Sequence, residues 1–355
     1  MKCQSKIRNV PVQLYLGWIL LVWMFCGIGC GQPQGEMFEE MASPVVWPQS
    51  PETARVKYLG QLSTEADLRR GVSPMESLTQ MLFGQEEIGV MVGPYAVAFD
   101  GADLLFVADT AGAVIHLMNL NTREYKQFFA LAEEEKLVTP VGLCLGENYL
   151  YAVDSSLGKI CVFDLEGHFQ FSWGEGVLIR PSGIAYHRTE RTLYIADAAQ
   201  HAIFIFDATG RLLGQIGSRG VRREQFNFPT HLWIDNTGQL YVSDTLNYRI
   251  QIFSARGEFL RMFGQQGDRP GYFAHPCGVA TDKHGNIYVV DKQFENVQIF
   301  SSAGEILMAF GGEGDAPGQF WLPGGIFIDE SNRIYVADQF NKRVQIFQLL
   351  ESSKK

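Results

Sequence analysis

From residue 93 to residue 350 the chain alternates short apolar runs with turns carrying Gly, Asn or Asp. The runs are four to seven residues long, rich in Val, Ile, Tyr and Phe, and too short for helices. They recur in one order: an apolar run opened by Pro, a turn, a "YV" run ending in Asp, a short loop, a "VQIF"-like run, a Gly turn, and a "FLRMFG"-like run. Each unit therefore predicts four antiparallel strands joined by hairpins. The opening prolines are Pro94, Pro140, Pro181, Pro229, Pro276 and Pro323, spaced 46, 41, 48, 47 and 47 residues apart. A single four-stranded sheet cannot bury two apolar faces, so six such sheets must stack around an axis. The expected fold is all-β: a six-bladed propeller with four antiparallel strands per blade.

The sixth unit ends at "RVQIFQLLESSKK" and lacks a fourth strand. "ARVKYLGQL" (54–62) has the alternation and the late Gly of the other fourth strands, so Val56 to Leu62 is expected to pair with Val344 to Phe347 and close the ring. Residues 30–53, rich in Pro, Gly and Glu, read as a tether. Residues 64–92 form an insertion. Within it Ser73-Pro74 can start a helix, Met75, Leu78, Met81 and Leu82 share a face, and Gly84 can end it. That helix would pack across the ring or dock a partner. Residues 351–355 are a C-terminal tail.

The amino terminus changes the picture from a bare propeller to an exported one. Lys2, Lys6 and Arg8 precede "LYLGWILLVWMFCGIGC", an apolar run of signal-peptide length ending in small residues. Residues 1–29 thus read as a signal peptide. Its end resembles a lipoprotein signal with Cys30 as the lipid-accepting residue, although Gly27 stands where such signals usually have Leu. Ordinary cleavage and an uncleaved anchor are the alternatives; each takes the chain out of the cytoplasm and into the cell envelope.

The formal charge is −10. Removing the basic leader leaves 26 basic against 39 acidic residues, a balance that repels phosphate backbones and argues against nucleic acid. Beyond Cys30, Cys144, Cys161 and Cys277 form no CxxC pair and no haem-attachment motif, and are expected to be free thiols.

Six aspartates end the second strands: Asp109, Asp154, Asp197, Asp244, Asp291 and Asp338. A carboxylate opening a tight loop accepts backbone N–H groups, and its recurrence in every unit assigns it to structure. The same holds for Asn247, Arg249, Asn341 and Arg343, and for Phe226, Phe273 and Phe320, aromatic plugs of the loops between units. Chemistry is sought instead in what differs between units. Tyr272 and Trp321 stand beside the plugs but outside the pattern. Arg219, Arg222 and Arg223 make a local positive patch suited to an anionic ligand or an acidic partner. Two residues after the prolines stand Ala96, Gly142, Gly183, His231, Gly278 and Gly325. His231 interrupts this small-residue series at the start of an innermost strand, where an imidazole can ligate metal, bind an anion or move protons. His275 can approach it from the next unit. Two imidazoles without a third ligand make a poor zinc centre, so neither metal nor other cofactor is expected.

The residues "PxGIAxDxxGxIYVxDxxNxRVQIF", shared by the units over 93–350, resemble the NHL repeat. With the leader, the chain resembles bacterial NHL-repeat lipoproteins. That resemblance implies a monomeric, non-catalytic, lipid-anchored scaffold that binds a protein or another ligand. Some such proteins resemble companions of secreted multihaem cytochromes, which implies a redox partner. The alternative is an enzyme. NHL-like propellers include amidating lyases with histidines around a channel metal, and related rings include calcium-dependent lactonases. Only His231 matches the former set, and no odd acidic residue matches the latter.

Overall fold

Each period-2 run becomes a strand. In blade 5, Pro276–Thr281, Ile287–Asp291, Asn296–Phe300 and Ile306–Gly311 lie side by side in chain order, all antiparallel. The same order builds blades 1 to 4, whose innermost strands are Pro94–Phe99, Pro140–Leu145, Pro181–His187 and Pro229–Ile234. The structure, a computed structural model, describes residues 34–38, 41–71, 89–132 and 134–350. It divides into two units, residues 37–68 with 88–355 and residues 1–36 with 69–87. Within the described part of the second unit, the Gly35 N–H donates to the Arg69 carbonyl at 3.1 Å. The signal segment, Cys30, the helix expected over 73–84 and the tail at 351–355 lie outside the described residues.

Blade 6 is assembled from both ends of the described chain. Pro323–Ile328, Arg333–Asp338 and Arg343–Leu349 are joined by Val56–Leu62, with Val56 opposite Leu349 and Leu62 opposite Val344. Val56, Tyr58 and Leu62 are buried; at about 1.5–3 kcal/mol for each large apolar side chain, this strand alone contributes several kcal/mol to closure. Outside it lies a fifth strand, Val46–Trp47. These two residues fall in the segment expected to be tether, and the reason for the difference is Trp47. Its indole packs on Phe310 at 5.7 Å and Phe347 at 5.9 Å, burial that a free tether would forgo.

The middle strands of each blade are buried on both faces, as in Ile287–Asp291, while the outermost strand Phe259–Phe263 alternates between partly buried and exposed. Buried side chains gather into six apolar clusters, one at each seam between neighbouring blades, the last joining blades 6 and 1. Buried tyrosines of the "IYV" runs hand their hydroxyls to turn carboxylates: Tyr241 to Asp235 at 2.9 Å, Tyr288 to Asp282 at 3.1 Å and Tyr335 to Asp329 at 3.2 Å. A buried hydroxyl thus stays satisfied.

All six strand-ending aspartates are fully buried. Each accepts backbone N–H groups from the segment that opens its own blade, as Asp154 does from Val138 at 2.7 Å and Thr139 at 3.0 Å. In blades 4 and 6 a second layer is added. Arg249 donates to Asp244 at 2.7 Å and Arg343 to Asp338 at 2.8 Å, and both guanidiniums also reach loop carbonyls. The six carboxylates are rivets between strand pairs. Phe226, Phe273 and Phe320 are completely buried, the plugs that their spacing implied.

Candidate functional site

The innermost strands converge so tightly that backbone faces backbone. A Cβ on Gly183 would lie 2.5 Å from the Thr230 carbonyl, on Gly142 2.7 Å from that of Ser182, and on Gly278 2.6 Å from that of Gly324. These positions admit glycine alone. The same repeat position in blade 4 holds His231, whose side chain must turn into the axis. There it meets Tyr95 of blade 1, ring centroids 5.4 Å apart at an interplanar angle of 34°. Blades 1 and 4 stand opposite each other in the ring, so the pair bridges the centre.

Below His231 lies an axial cavity of about 750 Å³. It extends from the level of Ala96, Gly142, Gly183, His231 and Gly325 to the turns after the innermost strands, at Gly101, Thr189, Asn236 and Glu330. Its wall includes Leu143, Cys144, Tyr186, Trp233 and Phe327; His231 lines it and Tyr95 does not. Trp233 is held by a bond from its indole N–H to Thr281 Oγ1 at 2.9 Å and an edge contact with Phe327 at 5.4 Å. That contact spans blade 5, whose innermost strand carries only small side chains. Burial pushes the Cys144 thiol well above its ordinary pKa, so it stays protonated. Cys144, Cys161 and Cys277 are free.

His231 is electrically quiet. Burial, reinforced by the Lys292 ammonium and by His275, lowers its pKa to about 3. It is neutral at physiological pH. Its Nδ1 lies 3.1 Å from Thr230 Oγ1, and its Nε2 is buried without a hydrogen-bond partner. On the far side of the pair, Lys292 Nζ sits 5.7 Å from the Tyr95 ring centroid and donates to Gln339 Oε1 at 2.9 Å. Burial raises the Tyr95 hydroxyl pKa, with the Arg180 guanidinium opposing. His275 is lowered by burial and by Lys292, against the pull of Asp291.

The other sequence candidates do not join the cavity. Trp321 is half exposed and pairs with Phe340, centroids 5.6 Å apart. Tyr272 lies on its inter-blade loop, where its carbonyl accepts from Gln298 at 2.9 Å. Arg219 belongs to a two-residue strand on the exposed loop after blade 3, paired with Phe226. Arg222 gives its carbonyl to Arg249, and Arg223 lies over the Phe259 ring at 5.6 Å. The structure therefore brings together His231, His275 and Lys292 near the axis and leaves the three arginines apart. Tyr95 was missed in the sequence, yet a signal existed: the residue after each opening proline is Tyr95, Val141, Ser182, Thr230, Cys277 and Gly324, and Tyr95 is the one bulky member. Among the described residues, no group of three or more His, Cys, Asp and Glu side chains is placed to hold a metal ion.

A family model described as a 6-bladed beta-propeller, DUF5128, matches residues 281–354. No curated protein matches the chain in sequence. Among solved structures, virginiamycin B lyase from Staphylococcus aureus superposes with a TM-score of 0.53 at 14% identity, over 73% of this chain and 96% of the other. An auxiliary nutrient binding protein from Bacteroides thetaiotaomicron gives 0.56 at 13% identity, over 74% and 70%. Kuenenia stuttgartiensis hydrazine synthase gives 0.53 at 12% identity, over 75% and 97%. At such identities the likeness is one of fold, and together with the strand topology it makes the chain an all-β, six-bladed propeller.

Proposed function

We propose that the protein is a non-catalytic binding module: an exported NHL-type propeller, held at a membrane through lipid on Cys30, that seats a ligand on its axis. The observation that carries this reading is the 750 Å³ axial cavity, whose lining mixes Leu143, Tyr186, Trp233 and Phe327 with the polar and acidic turns at Asp100, Asp235 and Asp329. Cavities of this size are where folds bind small molecules. The loops bearing His275, Tyr272, Trp321, Arg219, Arg222 and Arg223 form the face offered to a protein partner. A secreted multihaem cytochrome is the partner that the family resemblance implies.

The test is direct. Apolar fragments are screened against the full chain by ligand-observed NMR, and hits are measured again on Cys144→Trp, which fills part of the cavity. Affinity is expected to fall more than tenfold while the melting temperature stays within a few degrees. Unchanged affinity would move the seat elsewhere on the ring.

The fold likeness to a lyase favours one second reading, an enzyme with His231 as general base. A base with a pKa near 3 is about four units too weak to take a proton efficiently at neutral pH. The binding reading is therefore preferred.

A further inference from the structure

The register of every blade sets its opening proline opposite its strand-ending aspartate, from Pro94 beside Asp109 round to Pro323 beside Asp338. The residues before the prolines and after the aspartates therefore share one face of the ring, and the axial cavity lies toward the other. The residue two before each proline is fixed on that face, because its backbone N–H donates to the buried carboxylate: Val92 to Asp109 at 2.6 Å, Trp321 to Asp338 at 2.8 Å, and likewise in the blades between. In the four successive blades 6, 1, 2 and 3 that residue is apolar and between 48% and 65% exposed: Trp321, Val92, Val138 and Ile179. Phe340, whose N–H donates to the Trp321 carbonyl at 3.1 Å, adds a second half-exposed aromatic in blade 6. Apolar side chains anchored through their backbone yet left in water mark a contact surface.

The centre of this face is basic. The six residues directly before the prolines and the six directly after the aspartates include Arg180, His275 and Lys292 and no acid. The Lys292 ammonium has three N–H bonds and spends one on Gln339 Oε1 at 2.9 Å. Arg180 lies over the Phe228 ring at 5.4 Å, and neither cation has a carboxylate partner among the described residues. The strand-ending carboxylates are engaged by backbone N–H groups, and no carboxylate is among the groups acting on His231 or Tyr95: Lys292 and His275 bear on the first, Arg180 on the second. Tyr95, against which Lys292 stands, does not line the cavity, so the two ends of the axis are separate surfaces.

Two cations without carboxylate partners, rimmed by fixed apolar side chains, complement a carboxylate carried among apolar residues, because the rim excludes water and strengthens the ion pair. Blades 3 and 6 stand opposite each other, so Ile179 and the Trp321–Phe340 pair flank the axis on both sides. A chain terminus would use one flank, whereas a chain passing across uses both. Resting on the protein-partner part of the reading above, we infer that this face docks an extended segment of a partner protein whose internal Asp or Glu side chain enters between Lys292 and Arg180 while its apolar neighbours lie on Ile179, Trp321 and Phe340.

End-capped heptapeptides test this, with Glu, Gln or Lys at the centre and apolar or Ser flanks, titrated by fluorescence anisotropy into the full chain. The Glu-centred apolar peptide is expected to bind at least about tenfold tighter than its Gln counterpart, corresponding to about 1.4 kcal/mol, and the Lys-centred peptide more weakly still. Lys292→Gln combined with Arg180→Gln should bring the Glu and Gln peptides together. Trp321→Ser should weaken the apolar-flanked peptides alone, by at least about fivefold. All three side chains reach solvent, so the melting temperature should hold. Equal binding of Glu and Gln peptides, or of apolar and Ser flanks, overturns the inference while leaving the face a docking surface. A preference for a free carboxyl-terminal peptide, binding of phosphatidylglycerol vesicles instead of peptides, or a Trp321-dependent dimer in sedimentation overturns it in favour of a different occupant. If no peptide, vesicle or second copy binds, the inference and the protein-partner reading fall together, and the cavity is judged by the fragment screen alone.

Discussion

At the scale of single residues, the low pKa of His231 has a measurable cost. The unfolded chain binds a proton there near pH 6.5, whereas the folded chain resists it until about pH 3. Between those values the unfolded state holds more protons, so stability is complete above about pH 6.5 and declines as pH falls. The slope attributable to a fully shifted histidine is about 1.4 kcal/mol per pH unit. His275, lowered as well, adds in the same direction. Denaturation midpoints measured from pH 7 to pH 5 should therefore fall in the native protein, and His231→Gln should flatten part of that decline. A profile that His231→Gln leaves unchanged would mean that the imidazole titrates normally. His231 itself was legible in the sequence because it breaks a series of small residues. Its partner Tyr95 was not singled out, because the two lie 136 positions apart in the chain and meet only through the sixfold closure of the ring.

At the scale of the strand, the innermost positions divide by what faces them. Gly183 has the Thr230 carbonyl where its Cβ would go, and backbone cannot yield as a flexible side chain can. Gly183→Ala should cost about 2 kcal/mol or more, read from chemical denaturation. Ala96→Gly, at the equivalent place in blade 1, should cost only about 1 kcal/mol. Equal effects of the two substitutions would contradict the close approach. Strand identity and order were legible, since alternation, opening prolines and terminal aspartates repeat in every unit. Val46–Trp47 was not. Two residues flanked by Pro44, Pro48 and Pro51 carry no periodicity, and their pairing depends on an aromatic seat supplied by Phe310 and Phe347, far away in the chain.

At the scale of the whole ring, closure depends on one strand borrowed from the front of the chain. Deleting residues 54–62 removes Val56, Tyr58 and Leu62 from the core and exposes the edge of Arg343–Leu349. The melting temperature should drop by on the order of 10 °C or more, measured by calorimetry. An unaltered transition would show that blade 6 does not need its borrowed member. The number of blades was legible from the six prolines. The axial cavity was not, because its volume is set by which side chains of six strands fail to reach the centre, a property of no single segment.

The clasp between Gln61 and Arg343 joins residues 282 positions apart. During synthesis, therefore, Val56–Leu62 must wait for Arg343–Leu349, the last strand among the described residues. Until then the nascent chain is an open fan with an unpaired edge, and joining its ends carries the entropic cost of a very long loop. Assembly of the blades can proceed locally and fast, but completion is a single late event. A truncation that enters Arg343–Leu349 strikes at that event rather than at one blade.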